Sequence, residues 1–184
     1  MRTFTAVIPS EEAIDHLDSF LEPRRAAGDF RWTRPEHLHV TLAFMPDAGD
    51  HRVDAYVERL AESLDDIAPA ELALAGSVVF PSVAEARVLA TGVDDATGLL
   101  GRLAVRARNA AVASGIEVDG QPFHSHLTVA RTGGRKVEMT NWVRLLDDYT
   151  GPPWPLASVD VIASHLGEGP RRSPRYGTVA SIRL

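Results

Sequence analysis

The chain has 184 residues, 45% of them hydrophobic and 24% charged, which fits one soluble domain or two small lobes sharing an interface. A formal net charge of −6 argues against a general coat for long nucleic acid, but not against a local basic pocket for one phosphate. With no cysteine there is no thiol nucleophile, thiolate metal site or disulfide, and a reducing compartment is weakly favoured.

Thr3 to Ile8 reads as a first strand, its apolar run too short for a signal peptide. Ser10 caps a helix whose first turn carries Glu11 and Glu12. Ile14, Leu17 and Leu21 recur at helical spacing until Pro23. Phe30 to Thr33 predicts a short strand, Leu38 to Phe44 a longer one, and Met45 to Asp50 a loop. Val53, Tyr56, Val57, Leu60 and Leu64 mark an amphipathic helix. Ala70 to Phe80 alternates and ends at Pro81, as a strand does.

Then the series begins again. Ala86 to Thr91 predicts a strand and Gly92 to Asp95 a turn and cap. Leu99 to Ala111 is a long helix that stops near Gly115. Ile116 to Val118 reads as a short extended piece, and Phe123 to Ala130 as a strand. Met139 to Leu146 predicts a helix, Val159 to Ala163 a strand, Gly167 to Pro174 a loop and Tyr176 to Ile182 a final strand. No run approaches the roughly 18 apolar residues of a membrane helix, so the expected location is the cytoplasm.

The two series match in order: strand, helix, strand, loop, helix, strand. The fold class expected is α+β, with two pseudo-repeated lobes. Each lobe is an antiparallel-rich sheet with helices on its outer face, and a central cleft lies between the sheets. The whole chain, 1–184, reads as one two-lobed domain with repeat halves of roughly 1–83 and 84–184. With no exposed heptad or apolar stripe, a monomer without an obligate protein partner is expected.

At the matching place in each half stands the same short motif. One is His37-Leu38-His39-Val40-Thr41-Leu42 and the other His124-Ser125-His126-Leu127-Thr128-Val129, with His39 and His126 87 positions apart. In a strand, residues i and i+2 share a face. His39 and Thr41 therefore point one way, as do His126 and Thr128, while the aliphatic residues point to the core. Two such strands side by side bring two imidazoles and two hydroxyls together.

That set suits a phosphodiester. One neutral imidazole can take a proton from water while a protonated one gives a proton to the departing oxygen. Threonine hydroxyls can donate to non-bridging oxygens as charge builds on them. The chemistry requires no metal and no cofactor, and a strained cyclic phosphate is the substrate water opens most readily.

These residues resemble the two-histidine phosphoesterases, and among them the RNA 2',3'-cyclic phosphodiesterases, also called 2'-5' RNA ligases. The likeness covers Phe4 to Pro9, Arg31-Trp32, Pro35 to Phe44, Phe80 to Ser82, Arg87 to Leu89, Pro122-Phe123, His126 to Arg131, Ser164 to Leu166 and Pro174 to Tyr176. It implies hydrolysis of a terminal 2',3'-cyclic phosphate to a 2'-phosphate. His39 matches the proton donor to the 3' oxygen, and His126 the base that activates water. Thr41, Thr128 and Arg131 match phosphate-binding positions. The substrates implied are RNA ends or small nucleotides carrying a 2',3'-cyclic phosphate. The chain departs from many relatives in having Ser125 where proline precedes the second motif histidine, and in having His124 beside it.

Simple alternation puts Arg131 on the opposite face from Thr128, so it reaches the cleft only if the strand ends or bulges there. His37 and His124 make each motif His-x-His, which admits a rival metal-dependent hydrolase. Glu36 precedes the first pair, but by alternation it faces away from the histidines, and no Asp or Glu neighbours the second pair; His37 and His124 are read as rim residues. The same motifs also admit reverse 2'-5' ligation, a cyclic phosphodiesterase for another small nucleotide, and a non-catalytic RNA-end binder. Trp32, Phe44 and Phe123 could stack on a base or pack in the core. Arg175 and Tyr176 could line the end of the cleft.

Overall fold

The computed structural model describes residues 1–184, the side chain of Arg171 excepted. The order of elements is β1 (Arg2–Val7), α1 (Glu11–Leu21), β2 (Arg31–Trp32), β3 (Val40–Met45), α2 (Asp50–Leu64), β4 (Ala70–Phe80) and β5 (Val88–Asp94). It continues with α3 (Leu99–Ala113), β6 (Leu127–Arg131), α4 (Thr140–Asp147), β7 (Trp154–Leu156), β8 (Ser158–His165) and β9 (Arg175–Arg183). The class is α+β, as the residue periodicities predict.

The helices start and stop where local chemistry dictates. Ser10 Oγ accepts from Ala13 N at 3.2 Å and caps α1. Asp95 receives Leu99 N and Leu100 N at 2.9 and 2.8 Å and so caps α3. Leu17, Leu21, Val53, Tyr56, Leu60, Leu64, Leu99, Leu100 and Leu103 are fully buried beneath the helices. They join the inner faces of the strands in one large core.

The strands run in the order β7-β4-β5-β6-β3-β1-β8-β9, with β2 added to β6, and every pairing is antiparallel. Two half-sheets are therefore present, but they are continuous. They meet at β3 and β6 through the single register pair Val40↔Leu127 and then part. Beyond that point Asp119 N donates to Phe44 O at 2.9 Å, so the connection before β6 covers the freed edge of β3.

The half-sheets also exchange strands. β4 comes from the first half of the chain but pairs with β5, while β8 and β9 come from the second half but extend β1. The matching order of elements in the two halves is thus realised across the halves rather than within each one.

Both motif strands are shorter than the alternation predicts. β3 begins at Val40 and β6 at Leu127, each one residue after its histidine. The cause is local. Pro35–His37 forms a 3-10 turn, and the rings of His39 and His126 bond to carbonyls of their own chain segments. Such bonds compete with the sheet ladder. At the other end Gly92 to Asp94 extends β5 instead of turning, because the partner strand β4 is long enough to pair with it.

Candidate active site

All five residues singled out by the motif, His39, Thr41, His126, Thr128 and Arg131, line one cavity of about 480 Å³ on the concave side of the sheet. They are brought there by a feature both motif strands share. The register slips between Thr5↔Ala43 and Ala6↔Thr41, so β3 carries one extra residue, Leu42. It slips likewise between Leu89↔Ala130 and Ala90↔Thr128, so β6 carries one extra residue, Val129. Each strand thus bulges immediately after its threonine.

The bulges reverse the alternation. Leu42 and Ala43 are both buried, and so are Val129 and Ala130. The next residues, Phe44 and Arg131, therefore return to the cavity side, each three positions after its threonine. Arg131 reaches the cleft by this device, which alternation alone would deny it. Phe44 holds the equivalent place in the other half, so one half offers a cation where the other offers a ring.

The two histidines are held alike. His39 Nδ1 lies 2.7 Å from His37 O, and His126 Nδ1 lies 2.6 Å from His124 O. A carbonyl only accepts, so Nδ1–H is the donor in both. Nε2 is the ring nitrogen left in each for a ligand. Phe4 stacks on His39 at 4.8 Å with an interplanar angle of 29°, and Phe80 meets His126 edge-on at 4.9 Å.

Burial pushes the His39 pKa below the ordinary value of 6.5. Its bond to the His37 carbonyl opposes the shift, and the charges of His37, Arg131 and His126 add to it. His126 is lowered in the same way: burial leads, the His124 carbonyl opposes, and the charges of His124 and Arg131 add. Two near-neutral imidazoles in one polar cavity can exchange protons with a bound ester. The hydroxyls of Thr41 and Thr128 and the Arg131 guanidinium are donors suited to an anion.

His37 lines the same cavity and packs on Tyr176 at 4.8 Å. His124 is exposed and faces a smaller side cavity with Phe123 and Arg108. Among the described residues no three His, Asp or Glu side chains form a ligand group.

Of the aromatic candidates, Trp32 is taken up by an inner cluster with Phe30 and Trp142, at 5.6 and 5.4 Å. Phe44 faces the main cavity. Tyr176 faces it too, whereas Arg175 turns away to pair with Glu168 at 2.6 Å.

Sequence reasoning missed Arg2 and Thr33 and gave no site role to Phe4, Ser164, Leu166 and Pro174, all of which also line the cavity. Arg2 stands two residues before Phe4 on β1, so the alternation does put them on one face. Nothing local says which face is the cleft. Thr33 arrives through Thr33 N→Val129 O at 2.9 Å, a contact between distant segments.

A family model described as LigT-like phosphoesterase matches residues 7–90. The chain is 29% identical over 144 residues to the RNA 2',3'-cyclic phosphodiesterase of Archaeoglobus fulgidus, covering 78% of this chain and 80% of that protein. It is 31% identical over 129 residues to the protein of the same name from Geobacillus stearothermophilus, covering 70% of this chain and 41% of the relative. The crystal structure of TT0787 of Thermus thermophilus superposes with a TM-score of 0.81 at 25% identity, covering 100% of this chain and 98% of that one. E. coli LigT complexed with 3'-AMP shares the fold, with a TM-score of 0.77 at 20% identity, covering 100% of this chain and 97% of that one. With the paired motifs on matching bulged strands and this fold along its full length, the chain is similar throughout to the LigT-like phosphoesterases, whose family model it matches over residues 7–90.

Proposed function

We propose that the protein hydrolyses 2',3'-cyclic phosphates at RNA ends or on nucleotides to 2'-phosphates, using His39 as acid and His126 as base. His126 Nε2 takes a proton from water as the water oxygen bonds to phosphorus. His39 Nε2–H gives its proton to the 3' oxygen as the P–O3' bond breaks. Thr41, Thr128 and Arg131 hold the non-bridging oxygens, where charge grows in the transition state.

The observation that carries this reading is the pair of Nδ1-anchored imidazoles in one cavity. The anchoring fixes each tautomer, so one ring can act as base and the other, once protonated, as acid. The names of the Archaeoglobus and Geobacillus relatives supply the substrate class. Which histidine is acid rests on the resemblance, because their local bonds are equivalent.

The mechanism needs no metal or cofactor. We read the protein as a cytoplasmic monomer. No helix among the described residues is long and apolar enough to cross a membrane.

The test is turnover, in excess chelator, of a short RNA ending in a 2',3'-cyclic phosphate by the wild type, His39→Ala and His126→Ala. The expected result is a 2'-phosphate product from the wild type and a loss of at least about a hundredfold in each variant. Turnover abolished by chelator, or retained in either variant, rejects the mechanism.

A further inference from the structure

The cavity carries more positive charge than one cyclic phosphate can use. Two arginines line it, Arg131 and Arg2, and none of its lining residues is acidic. This holds in a chain whose net charge is −6. Neither arginine forms an ion pair among the described residues. Tyr176 lines the same cavity, and the charges of both arginines bear on it.

A 2',3'-cyclic phosphate is a diester with one negative charge. Thr41, Thr128 and Arg131 already offer it two hydroxyls and a guanidinium. Arg2 lies elsewhere on the wall. It heads β1 opposite Ser164, its guanidinium 5.0 Å from the centre of the Phe44 ring, and it is exposed at the cavity edge. A guanidinium on an aromatic face keeps its in-plane N–H groups free to donate to a second anion.

Resting on the activity proposed above, we infer that Arg2, held on Phe44 beside Ser164, binds the phosphodiester one nucleotide upstream of the cyclic end. Arg2 thereby selects an oligonucleotide end over a mononucleoside cyclic phosphate. In RNA the next phosphate hangs from the 5' side of the terminal ribose, so it leaves the reacting group and passes the cavity edge. Arg2 suits that place because it heads β1, whereas Thr41, Thr128 and Arg131 stand on the two motif strands. The substrate class is thus an RNA end with at least one internal phosphodiester.

The experiment compares kcat/KM for three substrates: adenosine 2',3'-cyclic phosphate, the dinucleotide ApA ending in the same cyclic phosphate, and that dinucleotide with an uncharged methylphosphonate linkage. Wild type, Arg2→Gln and Arg131→Gln are assayed on each.

Wild type is expected to favour the charged dinucleotide over the mononucleotide by about tenfold, the scale of one charge-assisted hydrogen bond near solvent. Methylphosphonate substitution removes that preference in the wild type. Arg2→Gln removes it as well, and is then insensitive to the methylphosphonate. Arg131→Gln slows all three substrates and keeps the preference.

Equal slowing of all three substrates by Arg2→Gln would assign Arg2 to the reacting phosphate and overturn the inference. So would a wild type indifferent to the linkage charge, a measurement that needs no variant to fold. If no substrate is turned over by the wild type, the proposed activity itself fails, which is a separate outcome.

Discussion

His39 and His126 are each fixed by a bond that their own chain segment supplies, Nδ1 to the carbonyl two residues back. In the proposed mechanism the Nε2 atoms exchange the protons, and burial is the main influence on their proton affinity. Both imidazoles lie below the ordinary value of 6.5. Below its lowered pKa the base is protonated and idle, and above its lowered pKa the acid has lost its proton. The kcat/KM profile of the free enzyme is therefore expected to be a bell with both limbs belonging to the pair and its maximum on the acid side of pH 6.5. A bound phosphodiester anion favours imidazolium, so the kcat profile moves to higher pH. Rates from pH 4.5 to 9 on a cyclic-phosphate substrate check this. A flat plateau above pH 7.5 with no alkaline limb would show that no protonated histidine is needed.

At the scale of elements, function depends on how strands are interrupted. Each motif strand carries one extra residue after its threonine, Leu42 or Val129, which returns Phe44 and Arg131 to the cavity. In β4 the same need falls on Gly76. It is the extra residue against β5 and has a φ of +75°, a conformation in which a side chain would be strained. The connection leading to His126 is held from α3. Arg108 donates to Gln121 O at 2.8 Å and to Asp119 O at 3.0 Å. Arg108→Met keeps the apolar stem and removes both bonds. It is expected to cost about 1 kcal/mol for these solvent-facing contacts, or about 2–4 °C in Tm for a chain of this size. Deuterium uptake should rise across residues 117–126 while β8 and β9 keep their protection. Uptake that rises evenly through the molecule would show that Arg108 acts on global stability and not on this connection.

For the whole molecule, the exchanged strands decide what can fold alone. Residues 1–83 include β4 without β5, and residues 84–184 include β8 and β9 without β1. Each fragment would expose unpaired strand edges and half of a shared core. Neither is expected to give a cooperative thermal transition by circular dichroism, whereas an equimolar mixture should recover one. Cooperative melting of either fragment alone would show that the sequence repeat is also a folding repeat. The sequence by itself determined the α+β class, most of the helices and strands, the paired motifs and the core residues. Those signals are written in neighbours at i+2, i+3 and i+4. Only the tertiary structure decided that β4 crosses to β5, that β7 exists beside β4, and that Arg2, Thr33 and Tyr176 share a cavity with the histidines. It also decided that both motif strands bulge. A bulge is a mismatch between two strands, and a partner strand is chosen by many weak contacts between distant residues. Neither leaves a periodic trace in the segment that carries it.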